Sequence, residues 1–335
     1  MLVDDSSTLS PDSTAVQPDL TRAVNAVLLE LVHVLDEYRD SLVVSGGLAM
    51  HLLFASDTVL PAGEERSVPL HEPFARVTKD VDFVLKLVQL RDGYDDQSET
   101  IADLLGQAHY QQETRKQYWV KKVKLPGFVD YIEVIVEFLA PVALGSDTDI
   151  QLLRKVSAQQ ELRPAALDGT NLALLQPRII HCSGQMPDGQ HRTDIPIQVV
   201  APAMLILIKA IAFADRLKKQ AGNPTATQHL EHAAKHAYDI SQLLLRYQGG
   251  TPALAERLLP PYITKPGPEQ EMVSRALEIL RNHFADRKSR GIQLMVQEGD
   301  YRLQDTDSQQ IAQQGTVSRV TRLLKTLDDK AENLY

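Results

Sequence analysis

The stretch that decides the fold is Leu42-Val43-Val44-Ser45-Gly46-Gly47, and it is followed farther along the chain by Asp80-Val81-Asp82-Phe83-Val84-Leu85. Each stretch contains a short apolar run, which predicts a buried strand. In the first stretch the run is followed by two glycines, and in the second it is preceded by two acids. A glycine pair directly after a strand lets the backbone approach a phosphate group closely. Two acids at i and i+2 of a strand project from the same face of the sheet. The two stretches therefore predict a site that holds a nucleotide together with a metal ion.

Apolar spacing around these stretches predicts alternating helices and strands. A helix is expected over residues 20–38, and the two glycines turn the first strand into a second helix over residues 48–54. Residues 57–78 are rich in proline and glycine, which predicts a long loop. The same patterns predict a helix at 99–107 and strands at 81–88, 116–125 and 131–139, with a turn at Gly127. Residues 147–200 predict a few short strands.

The pattern changes near residue 200, where strand-like runs give way to helical spacing. Pro202 lies where proline is tolerated, at the start of a helix that runs to about residue 220. Further helices are predicted at 228–247, 252–259, 270–284 and 317–327. We therefore expect an α+β fold, with a small mixed β-sheet core and flanking helices over residues 19–200 and a helical domain over 201–335. Residues 1–18 are polar and predicted to be disordered.

The composition is acidic: 44 Asp and Glu against 35 Lys and Arg give a net charge of −9. A polyanionic partner would therefore have to meet a local basic patch rather than a generally basic surface. Cys182 is the single cysteine, which excludes an internal disulfide and fits a reducing cytoplasm. The polar first residues do not resemble a signal peptide, and the longest apolar run, 201–208, is too short to span a bilayer. We expect a cytoplasmic protein without a membrane partner.

Asp80 and Asp82 alone form a weak motif, since two surface acids at a solvated strand end would look the same. A third acid, Glu137, lies inside an apolar strand, where a carboxylate is costly unless it is paired or bound to metal. The alternatives are that Glu137 faces outward on an edge strand, or that Glu133, on the same face, is the third acid. Three carboxylates suit Mg²⁺ or Mn²⁺ rather than Zn²⁺, and such ions can bridge a triphosphate.

Two cations in the first helix after residue 200 could complete the site. Lys209 and Arg216 are seven residues apart, which places them on one face of a helix. Lys209 follows an apolar run, and a partly embedded lysine requires an anion. Asp239 in the next helix could instead form an ordinary i, i+4 pair with Lys235.

Taken in order, these motifs resemble the AbiEii-type nucleotidyltransferases, which are polymerase-β-like enzymes, many of them toxins of bacterial toxin–antitoxin systems. The resemblance spans roughly residues 40–245 and is carried by Ser45-Gly46-Gly47, Arg76-x-Thr78-Lys79-Asp80-x-Asp82, the strand acid and Lys209…Arg216…Lys235-His236-x-x-Asp239. It implies metal binding by Asp80, Asp82 and Glu137. It implies nucleotide binding by Ser45, Gly46, Gly47, Lys209 and Arg216. It implies catalytic roles for Asp80, Asp82, Lys209 and Asp239, the last as a base or as an organiser of the lysine.

Three positions depart from the family pattern. Leu48 follows the glycines where the family often has a small hydroxyl residue, His236 stands where an acid is common, and Glu137 replaces the more usual aspartate. The resemblance implies Mg²⁺- or Mn²⁺-dependent transfer of a nucleoside monophosphate from an NTP to a hydroxyl of a tRNA end, a protein or a small molecule. It also implies a cognate antitoxin. The alternative is a catalytically inactive nucleotide- or partner-binding module of the same fold, and a third option is γ-phosphoryl transfer.

Two further features have ordinary explanations. Lys116, Lys121, Lys122 and Lys124 interleave with aromatic residues, which is typical of single-stranded nucleic acid binding. A strand with one solvated and one buried face explains the same pattern and is preferred. His51, one turn after the glycines, is expected to be a packed helix residue.

Overall fold

The computed structural model describes residues 17–54, 66–69, 78, 80–86, 99–113, 118–125, 129–141, 162, 164–223, 227–263 and 267–333. The helices in these ranges are α1 (Gln17–Val34), α2 (Gly46–Phe54), α3 (Ile101–Gln107), α4 (Pro202–Gly222), α5 (Thr227–Arg246), α6 (Gly250–Ile263), α7 (Pro268–Phe284), α8 (Arg290–Met295) and α9 (Thr306–Glu332). The strands are β1 (Leu42–Ser45), β2 (Arg66–Pro69), β3 (Asp80–Leu85), β4 (Gln111–Gln112), β5 (Tyr118–Val123), β6 (Ile132–Pro141), β7 (Ala165–Leu167), β8 (Arg178–Gln185) and β9 (His191–Val199).

All nine strands of the described ranges belong to one mixed sheet. Its order is β2-β8-β9-β1-β3-β6-β5-β4, with β7 added beside β6. The central strand β3 pairs antiparallel with β1 and parallel with β6. The prediction of a small sheet was wrong in extent, because β2 lies inside the predicted loop and pairs with β8. The β8–β9 hairpin contains a bulge between Cys182 and Gly184, which breaks the alternation that would have revealed it.

The first helix begins earlier than the sequence pattern indicates. Helix α1 starts at Gln17, inside the segment predicted to be disordered, and residues 1–16 lie outside the described residues. Pro18 is tolerated there because the first turn of a helix has no partner for the N–H group that proline lacks. Most of the predicted 57–78 loop and the turn at Gly127 also lie outside the described residues.

Every element described after Val199 is helical, as the change in pattern near residue 200 predicts. The sheet and these helices share one hydrophobic core, in which Val44 and Phe83 belong to the same cluster as Leu207 and Phe213. Helix α4 therefore contributes to the same apolar core as the sheet. Among the helices described, none combines the length and the apolar character that a membrane crossing requires.

Candidate active site

The register of β3 and β6 brings three acids to one face of the sheet. Asp82 lies directly beside Glu137, and Asp80 lies beside Ile135. Because paired residues share a face and every second residue of a strand returns to it, the three carboxylates project together. The opposite face is apolar, with Phe83 and Phe138 fully buried and stacked at 5.9 Å between ring centroids. One face of β3 and β6 thus anchors the core while the other carries charge.

The structure distinguishes Glu137 from Glu133 as the third acid. Strand β6 lies between β3 and β5, so Glu137 is not on an edge. Glu133 stands farther along the same strand, where its side chain is 61% exposed and pairs with Lys122 at 3.3 Å. Glu137, and not Glu133, is the neighbour of Asp82.

Gly46 and Gly47 form a turn, here called the glycine corner, that lies against the same acids. Strand β1 ends at Ser45, which is paired with Asp82, and the chain then turns into α2 at Gly46 with a φ of +66°. A Cβ atom on residue 46 would lie 1.7 Å from Oδ2 of Asp82, and one on Gly47 would lie 3.1 Å from Cβ of Thr78. The two glycines therefore leave the space that Asp82 and Thr78 fill. They also begin a helix, whose first N–H groups favour an anion.

The charges of the three acids are strongly coupled. Burial, followed by the negative charges of Glu137 and Asp80, raises the pKa of Asp82 to about 8, against the opposing charge of Lys209. Burial and the charge of Asp80 raise the pKa of Glu137 to about 7. A hydrogen bond from Tyr118 and the positive charge of Arg216 act in the opposite direction on the pKa of Glu137. Asp80, Asp82 and Glu137, here called the acid cluster, thus repel one another and experience the positive charges of Lys209 and Arg216.

Both cations come from helix α4, where Lys209 and Arg216 share one face. Lys209 Nζ donates to Asp239 Oδ2 of α5 at 2.6 Å, and the two side chains are 7% and 1% exposed. Asp239 therefore holds Lys209 from the neighbouring helix, whereas the sequence also allowed pairing with Lys235 on its own helix. Lys209 is thus bonded to this buried carboxylate, and its charge also lowers the pKa of Asp82.

The donor set fits a hard divalent cation, because all three predicted ligands offer carboxylate oxygens and a cation would relieve their repulsion. In the described part of the chain no three acidic, histidine or cysteine side chains are already grouped to hold an ion. Raised pKa values also mean that a cation would displace protons from this cluster.

One residue that contacts the acid cluster was not among the site residues predicted from the sequence. Tyr118 lies opposite Glu137 in the β5–β6 pair and donates a hydrogen bond to its carboxylate. Its sequence position marks it only as an aromatic residue in a lysine-rich strand. The strand register, which the sequence does not reveal, makes it a neighbour of the third acid.

The remaining candidates are accounted for within the fold. His51 is 2% exposed, burial lowers its pKa to about 4, and its Nε2 lies 3.4 Å from Nδ2 of Asn25. Lys121 pairs with Glu30 at 3.1 Å on the buried side of β5, and Lys124 lies over the ring of Tyr131. Lys116 lies outside the described residues. These intramolecular contacts favour the ordinary explanation of the lysine-rich strand over nucleic acid binding.

Comparison with known proteins identifies the family of the chain. The family model described as nucleotidyl transferase AbiEii toxin, type IV toxin–antitoxin system, matches residues 29–314. No curated protein and no solved structure matches the chain. The matched segment contains the acid cluster, the glycine corner and the α4–α5 pair, and it extends well past residue 245, where the resemblance noted from the motifs ends. The chain therefore belongs to the AbiEii family of nucleotidyl transferase toxins.

Proposed function

We propose that the protein transfers a nucleoside monophosphate from an NTP to an acceptor hydroxyl, with Asp80, Asp82 and Glu137 holding a divalent cation. The acceptor hydroxyl releases its proton to solvent as its oxygen forms a bond to the α-phosphorus. The bond from the α-phosphorus to the bridging oxygen breaks, and pyrophosphate leaves with that oxygen. Bound Mg²⁺ or Mn²⁺ would offset the charge of the phosphates and polarise the reacting oxygens. The observation that carries the proposal is the convergence of three coupled carboxylates with Lys209, Arg216 and the Gly46 corner.

The surrounding residues have distinct tasks in this proposal. The ammonium of Lys209 and the guanidinium of Arg216 bind the negatively charged β- and γ-phosphates. The backbone at Ser45, Gly46 and Gly47 receives another phosphate oxygen at the start of α2. Asp239 acts as an organiser of Lys209 rather than as a base, because its carboxylate is buried and already bonded to the lysine.

The partners follow from the family and the chemistry. A type IV toxin–antitoxin family predicts a cognate antitoxin, and we place the reaction in the cytoplasm with an NTP as donor. The acceptor is a hydroxyl of a tRNA end, a protein or a small molecule. These three classes are separate arms of the experiment.

The test is transfer of label from each α-³²P-NTP, with and without Mg²⁺ or Mn²⁺, to RNA, protein and small acceptors. We expect cation-dependent labelling that falls at least about a hundredfold in Asp82→Asn. The matched control is Glu133→Gln, which removes an acid from the same strand face outside the cluster and should retain activity. Label transferred from γ-³²P-NTP would indicate phosphoryl transfer instead. Absence of labelling in every arm, with a folded protein, would indicate an inactive binding module.

A further inference from the structure

A cavity separate from the acid cluster lies where α4 begins and α5 ends. It has a volume of about 370 Å³ and is lined by the segment before β8, the first residues of α4 and the last turns of α6. Lys209 stands on the order of 10 Å farther along α4 than Pro202, from the rise of a helix. The acids of the proposed active site are not among the residues that line this cavity.

Two arginines and one tyrosine line this cavity. Arg178 of β8 and Tyr247, which follows α5, are 8% and 7% exposed, whereas Arg257 of α6 is exposed. Burial raises the pKa of Tyr247, and the positive charges of both Arg178 and Arg257 oppose that rise. Both guanidinium groups therefore act electrostatically on the same hydroxyl, although they come from different elements. Guanidinium pairs of this kind suit the oxygens of a phosphate.

Two energetically unfavourable backbone features lie at the walls of this cavity. Gln176, which is not glycine, has a φ of +49°. Pro260 and Pro261 stand within α6, where neither can donate the usual helical hydrogen bond. Local costs that gather around one cavity are characteristic of binding sites, where they serve to shape the cavity rather than to stabilise the fold.

We propose that this cavity binds the phosphate group of a small phosphate monoester, with Arg178, Arg257, the hydroxyl of Tyr247 and the first backbone N–H groups of α4 as donors. The apolar wall formed by Leu174, Leu175 and Met204 receives the organic part of the ligand.

Two acids at the rim select among anions. Glu256 pairs with Lys330 at 3.2 Å, which leaves Glu269, exposed in the first turn of α7, as the main opposing charge. This balance favours a single phosphate group over a polyphosphate, whose greater charge Glu269 would repel. The cavity thus differs in preference from the cationic face of Lys209 and Arg216, which is proposed to bind a triphosphate.

The experiment is calorimetric titration without divalent cations, with inorganic phosphate, adenosine 5′-monophosphate and uncharged adenosine as probes. It is carried out in an Arg216→Gln background, so that binding to the proposed active site is weakened. We expect the monophosphate to bind more tightly than adenosine, and Arg257→Gln to weaken that binding about tenfold. Glu269→Gln should leave binding equal or tighter. Arg322→Gln, the same change at an exposed position of α9 outside the cavity, should have no effect.

The position of the ligand is tested independently by soaking crystals of the full chain with tungstate. An anomalous peak between Arg178 and Arg257 supports the proposal, and its absence while other sites are occupied overturns it. Monophosphate binding that is indifferent to Arg257→Gln, or binding of polynucleotides alone, also overturns it. Because the titration needs neither cation nor transfer, failure of the proposed enzymatic activity would leave this result unaffected.

Discussion

Asp82 occupies the space in which a side chain on residue 46 would have to lie, since a Cβ atom there would come within 1.7 Å of its Oδ2. The turn after β1 and the acid of β3 are therefore mutually dependent parts of one site. The glycine is required twice, once by its left-handed φ of +66° and once by the carboxylate beside it.

Gly46→Ala is expected to damage both stability and activity. A left-handed alanine costs about 1 kcal/mol, and the clash with Asp82 forces that carboxylate away from its present position. We expect a loss of about 2 kcal/mol or more in the free energy of unfolding and at least a tenfold loss of nucleotide transfer, measured by urea denaturation and by labelling. The control is Gly106→Ala in α3, where a Cβ meets nothing within 4 Å and alanine favours the helix. Wild-type behaviour of Gly46→Ala would contradict the described corner.

Asp82→Asn is expected to stabilise the metal-free protein while abolishing transfer. The pKa of Asp82 is raised from 3.8 to about 8, so the folded protein keeps a proton that the unfolded chain releases. This contribution to stability is complete below pH 3.8 and is lost as the pH rises toward 8. At pH 8 with a chelator, the variant should unfold with a free energy higher than wild type by on the order of 2 kcal/mol, and at pH 4 the two should agree. Urea denaturation at both pH values provides the measurement, and a less stable variant at pH 8 would count against the acid cluster.

Cation binding should become tighter as the pH rises. Asp82 and Glu137, with pKa values raised to about 8 and about 7, retain protons near pH 6, whereas a cation requires their charged forms. We therefore expect the affinity for Mn²⁺ to increase between about pH 6 and pH 8 and protons to be released on binding. Calorimetry in buffers of different ionisation enthalpy measures both. Glu133→Gln should leave the profile unchanged, and a pH-independent affinity would be inconsistent with the proposed ligands.

Breaking the buried Lys209–Asp239 pair from either side should be costly. Lys209→Met or Asp239→Leu leaves one buried charge without its partner, which typically lowers the free energy of unfolding by about 3 kcal/mol or more. The double variant should recover most of that stability but not activity, because Lys209 also faces Asp82. The matched control is the exposed pair of Lys219 and Asp215 on the same helix, whose loss should cost less than about 0.5 kcal/mol. Equal effects for the two pairs would argue against a special role for Lys209.

Tyr118→Phe tests the neighbour of the third acid. The hydroxyl of Tyr118 donates to Glu137 and lowers its pKa, so its removal should raise that pKa further. We expect a fold stable to within about 1 kcal/mol, an Mn²⁺ affinity several-fold weaker, and a pH–activity profile shifted to higher pH. Tyr131→Phe, at a residue 63% exposed beside the same strand, is the control. A shift to lower pH would exclude this hydrogen bond as the cause.

The parts of the fold that could be predicted from sequence are those with local patterns. The strand–Gly-Gly–helix unit, β3, β6 and the helices after Pro202 all follow from apolar spacing and from glycine and proline positions. Strand β2 could not be recognised, because four residues within a proline-rich segment carry no period, and the bulged β8–β9 hairpin lacks clean alternation.

In the candidate site, too, some features follow from local sequence patterns and others do not. That Asp80 and Asp82 share a face follows from the period of a strand. The choice of Glu137 over Glu133, the hydrogen bond from Tyr118 and the partner of Lys209 all depend on how distant segments are aligned. Pairing register is determined by contacts across the whole core, so a single sequence does not reveal it.

The three carboxylates come from strands before Val199, while Lys209, Arg216 and Asp239 come from helices after Pro202. A fragment ending at the last strand would keep mutually repelling acids and lose both counter-ions. The charge balance of the site therefore depends on both parts of the chain, and two separately produced pieces divided between Val199 and Pro202 would restore it only as a pair.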